Sequence, residues 1–252
     1  MKELNQAVLS WLEQHREEYL ADLKELAQIP APSHFEEKRA EWVKAWLERH
    51  GATGVVIDEA KNVIFPYHAE GCNELTVFNA HLDVVFPDME PLPFHEADGK
   101  YFAPGIGDDT ANIIALLQMA AMAIEMDLQP KQGILFVFNS CEEGLGNLKG
   151  TRQLMKDYGD RIVKWFAIDG GLDSYINKAV GSKRYEITIE TEGGHSYGAF
   201  GNRNAIHVLS SMITSLYTVK VPKIGDSITA KDDAILAGKV KVISHLVKVE
   251  TV

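Results

Sequence analysis

The chain has 252 residues, with 25 Lys plus Arg against 36 Asp plus Glu and a formal net charge of −11, a balance that argues against nucleic acid, phosphates or anionic lipid as partners. At 46% apolar and 24% charged residues it has enough apolar side chains for a full-sized core. Domains run to about 100–200 residues, so the length allows one large domain or one plus part of another. No run approaches the roughly 20 apolar residues that span a bilayer, and MKELNQAVLSWLEQHREEYL has the pattern of an acidic amphipathic helix without a signal-peptide core. A cytoplasmic location and no membrane partner are therefore expected. Cys72 and Cys141 form neither a disulfide framework nor a CxxC knuckle, and are read as reduced interior thiols.

Along the chain, the first 50 residues have a helical pattern broken at Pro30-Ala31-Pro32, with Ser33 and Glu36 as a capping box for a helix that stops at Gly51. Short apolar runs at 62–67, 75–80, 133–139 and 165–168 are rich in branched and aromatic side chains and predict buried strands. Helices are expected at 110–127 and 148–157. That alternation predicts an α/β fold: a layered, mostly parallel central sheet flanked by helices, over residues 1–179. From about residue 180 the style changes. Tyr185, Ile187 and Ile189 alternate with polar residues as in a half-exposed strand, a helix is expected near 203–218, and KVKVISHLVKVETV alternates to the end. Residues 180–252 thus predict a second, smaller and partial α+β domain.

The chemistry-bearing residues fall after the predicted strands or at the start of a helix: His81 and Asp83, Asp108 and Asp109, Glu142 and Glu143, and Asp169. In open α/β sheets the crevice at the carboxyl ends of the strands is where ligands bind. So many carboxylates in one crevice call for a compensating cation, and one imidazole among carboxylates suits Zn²⁺, Mn²⁺ or Co²⁺. Singly, each motif also has a plainer reading. His81-Leu82-Asp83 reads as a capped strand end, Asp108-Asp109 as a helix N-cap, Glu142-Glu143 as a solvated pair and Asp169-Gly170-Gly171 as a turn. A cysteine nucleophile at Cys141 would need an activating histidine.

In order, NAHLDVVFP, APGIGDDTAN, NSCEEGLGN and AIDGG resemble the successive motifs of the M20 family of dinuclear zinc peptidases and amidohydrolases, which includes aminoacylases, tripeptidases, carboxypeptidases and deacylases. The resemblance spans roughly residues 1–228, and TEGGHSYGAFGNRNAI is similar to the start of that family's lid, or dimerisation, domain. It implies His81 and Asp169 as ligands of a first metal, Glu143 as a ligand of a second, Asp108 as the bridge between them, and Asp83 as the group that orients His81. It further implies Glu142 as the general base and His195 as a lid histidine that stabilises the oxyanion across a dimer. The Asp108–Asp109 peptide is expected to be cis. Two Zn²⁺ per site, a small peptide or N-acyl amino acid substrate and a homodimer follow from the same resemblance.

Family members continue past the lid into a further part of the catalytic domain that supplies a last histidine ligand. Here the text after about Thr229 does not align with the family, and His245 is read as a strand residue. Two classes stay open: hydrolysis of a peptide or N-acyl amide bond at a dinuclear site, or a catalytically impaired, truncated family member that binds metal and self-associates.

Overall fold

The computed structural model describes residues 5–171, 175–176 and 187–218. The chain divides into two compact units, Met1–Ser174 and Tyr175–Val252.

The first unit is built on a five-stranded sheet of β1 (Val56–Ile57), β2 (Val63–Tyr67), β3 (Leu75–His81), β6 (Gly133–Asn139) and β7 (Ile162–Ala167). Their spatial order is β1-β2-β6-β3-β7, with β6, β3 and β7 mutually parallel and β1 and β2 antiparallel at one edge. The sheet is therefore mixed and mostly parallel, as expected. The four longer strands are those predicted from apolar runs, but β7, expected to be buried, is largely exposed at the edge of the sheet, with Val163, Lys164, Phe166 and Ala167 open to solvent. Strand alternation sends Val63, Phe65, Tyr67, Ala80, Phe136 and Phe138 to one face and Ile64, Val77, Leu135 and Val137 to the other. The first face is covered by α3 (Glu37–Arg49) and α4 (Ala111–Glu125), with α2 (Arg16–Ala27) packed on α4; α5 (Lys149–Tyr158) contributes Leu154 to the second. Each fully buried Leu, Ile, Val or Phe contributes about 1.5–3 kcal/mol, so these two layers hold the unit together without help from the site above them.

Three local features depart from the sequence expectation. The first helical stretch breaks at His15 between α1 (Gln6–Gln14) and α2. The imidazole there stacks on Trp11 at 3.9 Å with Nδ1 2.8 Å from the Trp11 carbonyl. The same device closes α3, where His50 stacks on Trp46 at 3.7 Å. A small hairpin, β4 (His95–Ala97) and β5 (Lys100–Phe102), turns at Asp98 and Gly99, both with positive φ. The capping box does not form: Glu36 makes no side-chain cap to α3, its Oε1 accepting instead from His34 N at 2.9 Å and Cys141 N at 3.0 Å. Cys141 is a buried free thiol and Cys72 a half-buried one.

In the second unit, α6 (Ala205–Leu216) starts at Asn204, whose side chain accepts from Ile206 N and His207 N. Residues 187–191 carry no regular structure, so the strand expected at Ile187 and Ile189 is not formed there. Tyr185, the alternating segment after 238 and His245 lie outside the described residues. No described helix is long and apolar enough to cross a membrane.

Candidate metal centre

The parallel strands deliver their last residues to one edge of the sheet. His81 ends β3, Glu142 and Glu143 follow β6, and Asp169 follows β7. Cross-strand bonds from Leu82 N to Asn139 O and from Ile168 N to Asn79 O keep those exits in register. Asp108 and Asp109 arrive from a one-turn helical segment, Ile106–Thr110, ahead of α4; both have non-helical backbone angles and the peptide between them is cis. Gly105 opens that segment at φ 69°, and a Cβ there would stand 2.4 Å from Val84 Cγ1. Only glycine lets this turn lie against the chain leaving β3.

His81 is buried, with Nδ1 3.0 Å from the carbonyl of Asp83 and Nε2 3.0 Å from Oδ1 of the exposed Asp108. Asp83 Oδ1 is 3.6 Å from Nδ1, so that carboxylate pairs with the ring as a charge rather than as a hydrogen-bond acceptor. Burial alone would lower the imidazole pKa, but Asp83, Asp109 and Glu142 outweigh it and raise it to about 10. Asp83, itself fully buried, does more than face the histidine. Its two oxygens accept from Glu142 N and Glu143 N, each at 2.9 Å, and Ser33 Oγ donates to Oδ2 at 2.7 Å. Burial pushes the Asp83 carboxyl up, yet these donors and His81 hold it below the usual range.

Asp109 points inward, accepting from the His81 backbone N–H at 2.8 Å and Asn112 Nδ2 at 2.6 Å. Burial raises its pKa to about 7. Burial also raises Glu142 and Glu143, with Asp169 adding to the rise at both and Asp108 at Glu143. The single imidazole joins two groups of acceptors. Ligand atoms of His81, Asp108 and Glu143 lie within 4.8 Å of one another, as do those of His81, Glu142 and Asp169. A crevice of about 190 Å³ opens beside them, lined by His81, Asp109, Asn139, Glu142, Trp165 and Asp169 among others. Burial, and after it the neighbouring carboxylates, raise Glu142 and Glu143, and such a crowd suits a divalent cation, which would relieve the repulsion and take oxygen and imidazole donors.

All the expected residues of the first unit therefore meet at one place. His195 belongs to the second unit, exposed, with Nδ1 accepting from Tyr197 N at 3.2 Å and Gly198 N at 3.3 Å. Those contacts leave the ring proton on Nε2 as an outward donor. Sequence reasoning missed Ser33, Arg39 and Asn112. Arg39 carried a signal, since it shares the buried face of α3 with Val43 and Trp46 at helical spacing, where a charge has no place without a task.

Residues 77–247, more than half of the chain, match the model of peptidase family M20/M25/M40. The chain belongs to that family. The match runs past residue 228, so the segment read above as unalignable is in part family sequence. This M20 chain is 24% identical over 215 residues to a succinyl-diaminopimelate desuccinylase of Corynebacterium glutamicum, covering 82% of this chain and 56% of that protein. It thus spans little more than half the length of that relative. A tripeptidase from Staphylococcus aureus is 25% identical with a TM-score of 0.50, over 62% of this chain and 43% of the other. A dipeptidase from Saccharomyces cerevisiae superposes with a TM-score of 0.52 over 64% of this chain and 40% of the other, at 16% identity, a likeness of fold alone.

Proposed function

We propose that the protein hydrolyses a peptide or N-acyl amide bond of a small substrate at a dinuclear metal site, with Zn²⁺ as the expected ion and Mn²⁺ or Co²⁺ as substitutes. The observation that carries this reading is the pair of acceptor groups sharing His81, built from the ends of three parallel strands and the Asp108 turn ahead of α4. Family membership and the desuccinylase and tripeptidase relatives support the reaction class.

In this reading His81 and Asp169 would hold one ion and Glu143 the other, with Asp108 shared by both. Bound there, the metal would polarise the scissile carbonyl and acidify a water toward neutral pKa. Glu142, free of metal and raised in pKa by burial, takes the proton of the attacking water and hands it to the departing amine nitrogen. Asp83 fixes His81 and, through the Glu142 and Glu143 amides, the carboxylates beside it. His195 is assigned, as in the dimeric members that this chain resembles, to the oxyanion formed in the site of a second copy of the chain.

A second arrangement is favoured by one observation: Glu142 itself lies with His81 and Asp169 in a ligand-like group. Hydrolysis of dipeptides and N-succinyl amino acids, with and without chelator, tests the reaction, and Glu142→Gln separates the two arrangements. The expected result is metal retained at parental affinity with hydrolysis nearly abolished. Loss of metal from Glu142→Gln would make Glu142 a ligand, and hydrolysis indifferent to chelator would overturn the proposal.

A further inference from the structure

Arg39 is fully buried in the first turn of α3, on the face that also carries Val43 and Trp46. A guanidinium taken out of water is costly unless its donors are satisfied and its charge is paired. Here Nε donates to the Ile29 carbonyl at 2.8 Å, and Nη1 donates to the Leu82 carbonyl and to Thr110 Oγ1, both at 3.1 Å. Among the described residues it makes no salt bridge, and its other amino group has no hydrogen-bond partner. Burial lowers its pKa to about 10, with Asp83 acting through space in the other direction, so it stays charged at neutral pH. A core position of α3 would be filled more cheaply by leucine. The fork must therefore serve something other than packing.

Its partners say what. Leu82 is the residue between His81 and Asp83, and Thr110 directly follows Asp108 and Asp109. Thr110 Oγ1 in turn donates to the Gly105 carbonyl at 2.8 Å, closing the turn that carries the two aspartates. Ile29 ends the stretch before Pro30, and Val84 N donates to Ala31 O at 2.9 Å, tying that stretch to the residue after Asp83. One planar group thus bonds three chain segments, two of them bearing the facing His81 Nε2 and Asp108 Oδ1.

We propose that Arg39 is a positioning residue of the metal centre, its guanidinium fork fixing the His81–Asp83 exit against the Asp108–Thr110 turn so that imidazole and carboxylate are set before an ion arrives. The inference rests on the metal-site reading above. Two effects of Arg39 oppose each other. Its charge repels an incoming cation, whereas its bonds pre-form the ligand geometry. The fork dominates, because it touches both ligand-bearing loops, whereas the charge is one unit against a crowd of carboxylates.

The test is calorimetric titration of the full chain with Zn²⁺, with the visible spectrum of bound Co²⁺ as a second readout. It uses the parent, Arg39→Lys, Arg39→Met and, as a control, Leu47→Ala, a fully buried position on the same helix. Lysine keeps the charge and loses the fork; methionine loses both. Both Arg39 variants should bind Zn²⁺ at least about 10-fold more weakly than the parent, the usual scale for groups that orient ligands, with an altered Co²⁺ spectrum. Leu47→Ala should lower the melting temperature and leave affinity and spectrum in place. Should an Arg39 variant not fold, nitrogen NMR of the guanidinium in the parent serves: the Arg39 signals should be protected without metal and shift when Zn²⁺ is added. Parental or tighter binding by Arg39→Met, an equal loss in Leu47→Ala, or Arg39 signals indifferent to Zn²⁺ would overturn the proposal. A parent that binds no Zn²⁺ at all would instead refute the metal site itself.

Discussion

Asp83 shows how much a single side chain settles at this site. The sequence reading paired its carboxylate with the His81 ring; in the structure that carboxylate stands 3.6 Å from Nδ1, and its two oxygens also accept the amides of Glu142 and Glu143 and the Ser33 hydroxyl. That second duty was illegible because it joins segments some 60 residues apart through backbone N–H groups, which no side-chain pattern announces. Asp83→Asn keeps the size but offers one acceptor oxygen and turns an NH₂ toward groups that are themselves donors. Breaking a buried charged network by removing one partner costs about 3–5 kcal/mol, and loss of the group that orients a ligand histidine weakens metal by about 10–100-fold. A thermal melt and a Zn²⁺ titration of Asp83→Asn should show both losses together. A melt that falls while Zn²⁺ affinity stays at the parental value would mean that Asp83 holds the fold and not the ligands.

At the scale of elements, legibility followed apolar content more than burial, since the largely exposed β7 was found from its apolar run. Strands β2, β3 and β6 are buried almost throughout and read as continuous apolar runs. Strand β1 and the hairpin β4–β5 are two or three residues long and exposed, so they leave no apolar run to find. Their Asp98-Gly99 turn was the available hairpin signal. The capping box failed because Glu36 lies on the same face of α3 as Ala40, Val43 and Leu47, and is drawn into the interior toward Cys141. The two glycine turns differ in a way that can be measured. Gly99 and Gly105 both have positive φ, but a Cβ at Gly99 meets open space whereas one at Gly105 collides with Val84. Gly99→Ala should cost about 1 kcal/mol from backbone strain. Gly105→Ala should cost more, by about 1–3 kcal/mol, and displace the Asp108 turn. Urea denaturation of the two variants side by side reads this; equal losses would mean that contact with Val84 does not hold the turn.

For the first unit as a whole, the two apolar layers and the candidate metal centre are physically separable. The layers on either face of the sheet are made of buried apolar residues that touch no site carboxylate through a hydrogen bond, and burial of that surface is the main favourable term in folding. The site lies at the strand ends and is held by charged groups that repel one another, a local excess of negative charge within a chain already at −11. Metal should therefore stabilise the strand ends and leave the sheet interior as it was, since stability is distributed unevenly and opens in local units. The amides to watch are known from the bonds they make: His81 N to Asp109, and Glu142 N and Glu143 N to Asp83. Without metal these carboxylates repel their neighbours, so the amides that depend on them open more often. Hydrogen exchange with and without chelator should show faster exchange at these three amides after metal removal, and unchanged protection at Val77 and Phe136 in the centre of the sheet. If chelation accelerated exchange across β3 and β6 equally, the ion would be part of the core's stability, and the separation between scaffold and site argued from these two layers would be wrong.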